Sequence, residues 1–187
     1  GSTSPILPAD QLRGRFLADY RTETLYVSLT DEERFQYESA RELYRAFLQD
    51  NHINMSQPDS WKRFLREANR SPEGRQAFLA HRRQRELALA APAKLSLLGH
   101  LLDRHNGDRI LIFTHDNATV YKIARRFLVP VITHQTKTKE RREVLLRFNS
   151  GTYPIVATSR VLNEGVNVPE ANVAIILSGF VSLTLTP

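Results

Sequence analysis

Arg109-Ile-Leu-Ile-Phe-Thr114 is a short apolar run closed by a hydroxyl, and it follows Asn106-Gly107, a pair that stops the pattern before it. Such a run reads as a buried strand. Working outward, helix and strand alternate on both sides of it. Lys94–His105 has the spacing of a helix, and Ala118–Leu128 that of another. Pro130–Thr133 is a brief strand, Glu140–Phe148 a helix closed by Ser150-Gly151, and Tyr153–Thr158 a strand. A short helical loop then leads to a last strand, Val173–Ser178. Strands separated by helices of this length pair in parallel through crossovers. The expectation for residues 93–179 is therefore an α/β sheet of the doubly wound type.

Before residue 92 the pattern differs. Residues 22–29, Thr-Glu-Thr-Leu-Tyr-Val-Ser-Leu, alternate enough to predict a short strand. Thr30 opens a capping box with Glu33, leading into a helix that carries Phe35, Tyr37, Leu43, Tyr44, Phe47 and Leu48. Asp50-Asn51-His52 stops it. A second helix is expected over Trp61–Asn69, and a third from Ser71-Pro72, an N-cap followed by proline at the first helical position, to about Ala90. Pro92 breaks that helix. Residues 22–92 thus read as a strand plus a helical insertion, and 1–21 as a linker in which Gly1-Ser2 looks like a cloning scar.

The helical insertion carries the charge. Between Trp61 and Arg85 stand Lys62, Arg63, Arg66, Arg70, Arg75, Arg82, Arg83 and Arg85, opposed only by Glu67 and Glu73. This one stretch accounts for the whole net charge of +6. A solvated helical face is the ordinary explanation of a charge run. Arginine predominance and confinement to one segment point equally to a contact surface for nucleic-acid phosphates, with Lys62, Arg63, Arg66, Arg82 and Arg83 as candidates.

Composition excludes several classes. With 187 residues, 41% hydrophobic and 25% charged, the chain suits a globular fold of one domain with an insertion. No run approaches the ~18–20 apolar residues of a membrane span, so no membrane role is expected. Residues 1–5, Gly-Ser-Thr-Ser-Pro, lack the features of a signal peptide. An intracellular location, cytoplasmic if prokaryotic, is the expectation. Cysteine is absent, which removes thiolate nucleophiles and cysteine metal sites. The six histidines show no metal-ligand spacing, so no metal site is expected.

Each predicted strand ends at a hydroxyl: Thr114, Thr133, Thr158 and Ser178. Open parallel sheets bind ligands beyond the carboxyl ends of their strands, and hydroxyls beside helix N-termini suit phosphate oxygens. Against this, Thr and Ser are also common caps. The phosphate-gripping Gly-x-x-x-x-Gly-Lys-Thr/Ser loop is missing, as are Gly-x-Gly-x-x-Gly and Gly-x-Ser-x-Gly. Asp31-Glu32-Glu33 imitates a magnesium-holding acidic motif, but the capping box accounts for it better. No complete catalytic centre is present.

The segment Val156-Ala-Thr-Ser-Arg-Val-Leu-Asn-Glu-Gly-Val-Asn-Val-Pro-Glu-Ala-Asn-Val-Ala174 closely resembles motif V of superfamily-two helicases, in the form found in the XPB DNA repair helicases. Arg109–Thr114 then looks like motif IV, and Thr133-His-Gln-Thr-x-x-x-Glu-Arg-Arg142 like the turn and helix after it. Tyr26-Val-Ser-Leu-Thr-Asp-Glu-Glu-Arg34 is similar to the start of the second motor domain in that family. The resemblance covers residues 20–179 and implies a RecA-like second helicase domain of a prokaryotic XPB-type protein. The basic helices at about 31–91 would match its thumb-like, DNA-gripping element.

By the same resemblance, Thr114, Thr133, Thr158 and Ser159 would lie near the DNA backbone. Glu164, Gly165 and Asn167 would belong to the nucleotide cleft and to coupling between the motor domains. The parent protein would be an ATP-dependent DNA helicase or translocase using ATP and Mg2+, acting in DNA repair such as nucleotide excision repair. Its partners would be duplex or forked DNA without sequence preference, the first RecA-like domain of the same chain, and a repair nuclease. Two departures stand out. Asn163 and Asn167 replace the family's aspartates, and an amide cannot pair ionically with arginine. After Ser178-Gly179 the family's arginine-rich motif VI is replaced by the atypical tail 180–187. The fragment alone is therefore expected to hold no cofactor and to be catalytically inactive. A non-enzymatic nucleic-acid-binding module is the alternative from another class, and a small phosphate-ligand domain of flavodoxin-like type a third. An upstream Gly-Lys-Thr loop would mark the motor.

Overall fold

The computed structural model describes residues 21–159 and 170–178. Along the chain run helices α1 (Asp31–Asp50), α2 (Ser60–Ala68), α3 (Pro72–Ala90) and α4 (Pro92–Arg104), then β1 (Ile110–Thr114), α5 (Asn117–Phe127), β2 (Val131–Ile132), α6 (Thr138–Asn149), β3 (Ile155–Ser159) and β4 (Val173–Ile176). The strands form one parallel sheet in the order β2-β3-β1-β4. Ile110 lies opposite both Ile155 and Val173, Thr114 opposite Ser159, and Ile132 opposite Thr158.

The central place of β1 explains its unbroken apolar run. Side chains alternate across a strand, so a strand covered on both faces needs apolar residues at every position. Ile110 and Ile112 pack with Leu95, Leu98 and Leu102 of α4 and Val120 and Ile123 of α5. Leu111 turns to the other face, where it meets Ile132, Val156 and Phe148, flanked by Val144 and Leu145 of α6. The sheet is thus sandwiched between α4 and α5 on one side and α6 on the other.

Helices α1 to α3 form a second cluster. Phe47, Ile53, Phe64, Ala68 and Ala77 are its buried centre, and Phe64 meets the rings of Tyr44, Phe47 and Trp61 at 5.2–6.0 Å. The expected stripe of α1 is realised at Tyr37 and Phe47, whereas Phe35 is 67% exposed and Leu43 also faces solvent. Residues 22–29 are not the expected strand. None of the sheet's strands pairs with them, and Tyr26 is 92% exposed. Alternation marks which face a strand would bury, but without a neighbouring strand to take its N–H and C=O groups the segment has no ladder to join.

The two clusters are joined by exchanging helix caps. Thr30 and Glu33 form the predicted capping box, with the Glu33 amide donating to Thr30 Oγ1 at 3.2 Å and the Thr30 amide to Glu33 Oε2 at 2.9 Å. The second oxygen of Glu33 accepts from the Ala93 amide at 3.3 Å, in the first turn of α4. The N-cap of α4 is Ala91, which has no side chain to offer, so a carboxylate from 60 positions earlier takes that place. In return, the C-terminus of α3 borrows cations it lacks in its own last turn. Lys94 donates to the Ala88 carbonyl at 2.5 Å, and Lys122 to the Ala90 carbonyl at 3.1 Å. Both positions suit the negative end of the helix dipole. Burial pulls the Lys94 ammonium below the ordinary lysine pKa.

A close contact sets the angle between α2 and α3. A Cβ on Gly74 would lie 2.7 Å from both the Cα and the carbonyl oxygen of Ala68, so only glycine allows this approach. Gly74→Ala is expected to lower stability by about 1–3 kcal/mol, a drop of several degrees in thermal midpoint for a chain of this size. Glu33→Ala, which strips two amides of their acceptor, is expected to cost about 1–3 kcal/mol. Glu32→Ala, at the exposed neighbouring position, should stay within about 0.5 kcal/mol. Calorimetric or circular-dichroism melting of the three variants checks both expectations. Equal effects of the Glu32 and Glu33 changes would contradict the capping role.

Candidate nucleic-acid interface

Parallel pairing brings the ends of β1, β2 and β3 to one side of the molecule, with Thr114, Thr133, Thr158 and Ser159 together as the sequence predicts. Their burial was not foreseen. All four are buried, Thr158 completely. Thr114 Oγ1 donates to the Asp116 carbonyl at 3.0 Å and lies 3.4 Å from the Thr158 carbonyl. Thr133 Oγ1 accepts from the Gln135 amide at 3.2 Å, and Thr136 Oγ1 accepts from the Thr133 amide at 2.9 Å. Ser159 Oγ donates to Asn117 Oδ1. Thr158 Oγ1 is buried without a hydrogen-bond partner among the described residues. The other three hydroxyls shape the strand-end loops before they can offer anything to a ligand. The residues that face outward from the same loops are His115, His134, Gln135 and Lys137. Ser178, the fourth hydroxyl, is exposed, and its carbonyl accepts from Lys94 Nζ at 2.8 Å.

Two residues not singled out in the sequence organise this end. Asp116 is the N-cap of α5, its Oδ1 accepting from the Thr119 amide at 2.8 Å, and its other oxygen lies 3.8 Å from Arg85 of α3. Asn117 accepts from Ser159 on β3 and contacts His134 Nδ1 at 3.1 Å beyond β2, tying three strand ends together. Asp directly before an amphipathic run is a recognisable N-cap signal. Its pairing with Arg85 has no local signature.

The basic helices attach at this same end, because α3 ends beside the first turns of α4 and α5. Glu86 of α3 accepts from Lys122 at 3.0 Å and from Arg83 at 3.1 Å. The hydrogen bond from Lys122, against the opposing effect of burial, holds Glu86 below the usual carboxylate pKa. The candidate cations therefore divide. Arg83 is engaged by Glu86 and by Gln36 of α1. Arg82 and Arg66 are exposed and make no hydrogen bond or ion pair among the described residues. Lys62 pairs with Asp59 at 2.7 Å, and Arg63 donates to the Asn51 carbonyl at 3.1 Å. At about 100° per residue, Lys62, Arg63 and Arg66 occupy one sector of α2. Arg82 and Arg83 belong to α3 and point in different directions around it. Beside this cluster His81 sits between the rings of Tyr44 and Trp61, 4.9 and 5.0 Å away. Burial, then the charge of Arg85, lowers its pKa.

Glu164, Gly165 and Asn167 lie outside the described residues, as do Asn163 and the tail 180–187. Among the described residues no group of His, Asp and Glu could hold a metal ion. No helix among them is long and apolar enough to cross a membrane.

Residues 93–184 match the family model described as "Helicase conserved C-terminal domain". Over 171 residues, 91% of this chain, the sequence is 34% identical to the DNA 3'-5' translocase XPB2 of Sulfurisphaera tokodaii, covering 39% of that protein. A putative DNA 3'-5' helicase Rad25 of Halobacterium salinarum is 30% identical over 96 residues, 51% of this chain and 16% of that one. The chain thus spans well under half the length of these curated relatives. Among solved structures, the C-terminal domain of the Sulfolobus solfataricus SWI2/SNF2 ATPase has the same fold, with a TM-score of 0.57 at 16% identity over 81% of this chain and 69% of that one. The parallel sheet described above is accordingly RecA-like, and the chain belongs to the helicase conserved C-terminal domain family, with the XPB proteins as its relatives.

Proposed function

We propose that the whole protein is an ATP-dependent DNA translocase or helicase of the XPB type acting in DNA repair. In this reading the chain supplies the second motor domain, with DNA-backbone contacts on one side and one wall of the ATP cleft on another. The observation that carries the reading is the attachment of a basic helical unit at the carboxyl end of a RecA-like sheet. Glu33 and Arg85 reach helix starts at that end, and Glu86 reaches Lys122 within α5. Phosphates entering there meet two kinds of donor. The outward residues His115, His134, Gln135 and Lys137 offer polar hydrogens from the motor side, and Arg66 and Arg82 offer guanidinium groups from the helical side. Such contacts hold the backbone and carry no sequence information.

Thr114, Thr133, Thr158 and Ser159 act in this scheme as positioning residues. The buried hydroxyls of Thr114, Thr133 and Ser159 hold the strand-end loops in the shape that presents backbone amides and outward side chains to DNA. Thr158, whose hydroxyl is unpartnered, is the one among them with capacity to spare. Coupling to nucleotide would run through Glu164, Gly165 and Asn167. The described residues do not by themselves fit ATP and Mg2+: no acidic cluster among them could hold the metal, and the sequence lacks a phosphate-gripping loop. The nucleotide's phosphates would be gripped by the first motor domain, and no step of hydrolysis is assigned to this chain. Duplex or forked DNA is the proposed substrate, and the first motor domain and a repair nuclease are the proposed protein partners.

The purified 187-residue chain is expected to hydrolyse no ATP, with or without DNA, since the groups that grip the phosphates and the metal lie elsewhere. DNA-stimulated phosphate release that persists through purification would contradict this assignment. The same chain is expected to bind duplex and forked DNA weakly and regardless of sequence, with affinity falling steeply with salt. Changing Arg66 and Arg82 together to Ala should flatten the log–log salt slope by about two units, at roughly −0.9 per phosphate contact. Thermal stability should hardly move, since neither side chain is buried. Identical salt slopes for variant and parent would remove the helical unit from the interface.

A further inference from the structure

The loop between α1 and α2 borders an open hollow of about 440 Å³, into which one sector of α2 faces. Its polar lining includes Asn54, Gln57, Asp59, Lys62, Arg63 and Arg66. Two features of the backbone hold the loop in shape. His52 and Asp59, which bracket it, both adopt the left-handed conformation, with φ of 52° and 60°. That conformation is uncommon for residues other than glycine and persists only where the surroundings impose it.

We infer that this hollow is a binding site for a phosphomonoester, the chemistry of a nucleic-acid strand end or of free phosphate. Three cations and one carboxylate line it, so its side chains carry a net charge of +2. A phosphomonoester carries about −1.5 to −2 at neutral pH, whereas a backbone phosphodiester carries one negative charge. The match in charge favours the end group. Shape favours it too: a concave pocket admits a group that enters end-on, while a phosphodiester is flanked by sugars on both sides and suits an open face.

The donors present are the right kind and are available. Arg66 makes no hydrogen bond or ion pair among the described residues. Arg63 uses one of its nitrogens on the Asn51 carbonyl and keeps the remaining N–H groups of its fork. Two guanidinium groups one helical turn apart can each make paired N–H contacts with phosphate oxygens. Lys62 is held by Asp59, but both side chains are more than 70% exposed. An ion pair so exposed is weak, and its lysine is free to turn to a stronger anion. The Gln57 side-chain amide, which has no partner among the described residues, completes the donor set.

This inference deepens the proposed nucleic-acid role of the helical unit and rests on it where the phosphate belongs to a strand. The test measures anisotropy of a short labelled single strand bound to the 187-residue chain. The strand carries phosphate at its 5′ end, at its 3′ end, or hydroxyls at both. In parallel, titration calorimetry follows inorganic phosphate at constant ionic strength. A strand-end site predicts that one phosphorylated strand binds about tenfold or more tightly than the hydroxyl strand. Arg63→Gln with Arg66→Gln should erase that preference. Arg82→Ala, outside the hollow, should weaken all three strands alike and leave it intact. A free-phosphate site predicts equal binding of the strands, with a single phosphate-binding event that the same double change abolishes. Equal binding of the strands with no phosphate binding overturns the inference, as does a preference that survives the double change in a variant of unaltered melting temperature. In either case salt-dependent binding of all three strands would leave the broader DNA-binding role standing, and its loss would remove that role as well.

Discussion

Parallel pairing of β1 with β3 on one side and β4 on the other is the constraint on which the rest of the molecule depends. A strand in that position must be apolar on both faces, which the run Ile110-Leu-Ile-Phe113 satisfies, and each face then requires a helical cover. Parallel strands also place every strand end that leads into a helix on the same side. Four buried hydroxyl residues, the N-cap of α5 and the turn before α6 come together there without further instruction. The RecA-like character of the chain follows from this arrangement more than from any single side chain.

Attachment of the basic helices to that end is achieved through the ends of helices. Glu33 completes the start of α4, whose own cap residue is alanine, while Lys94 and Lys122 complete the end of α3. Each cluster supplies what the other lacks, so the Ala93 amide and the Ala88 and Ala90 carbonyls, which have no partner within their own helices' ends, are satisfied across the seam. Arg85 with Asp116 and Lys122 with Glu86 add two ion pairs to the same seam. They are partly exposed, and their value lies in direction more than in strength. The seam explains why a cluster of eight basic residues does not act as one surface. Arg83 is engaged by Glu86 and Gln36 and Arg85 by Asp116, while the side chains of Arg66, Arg75 and Arg82 are exposed and make no hydrogen bond or ion pair among the described residues.

The row of hydroxyls shows how one pattern can serve two purposes. Hydroxyls at the ends of parallel strands suggest phosphate binding, yet here three of them close local turns or tie one strand end to another. A buried hydroxyl needs a partner, and the nearest amides and carbonyls of a tight loop provide it. Thr158 is the exception, since its hydroxyl has no partner among the described residues. Three of the four hydroxyls at this end are thus committed to loop shape before any ligand is considered.

The sequence by itself determined the helices, the strand order of types and the parallel sheet, because those signals are local. Thr30 with Glu33, Ser71 with Pro72, and the run at 110–113 act over a few positions, where chain geometry makes them nearly unavoidable. It also localised the charge and, through the segment 156–174, indicated the helicase family. Residues 22–29 show where local signals fail, since alternation cannot supply a neighbouring strand. Tertiary structure decided the rest. It assigned Glu33 a second partner 60 positions away, paired Arg83 with Glu86 and Arg85 with Asp116, buried Thr114, Thr133, Thr158 and Ser159, and folded the loop before α2 into a charged hollow. Partners separated by dozens of residues leave no periodicity in the chain, and which of several like cations stays free is set only once the helices have packed.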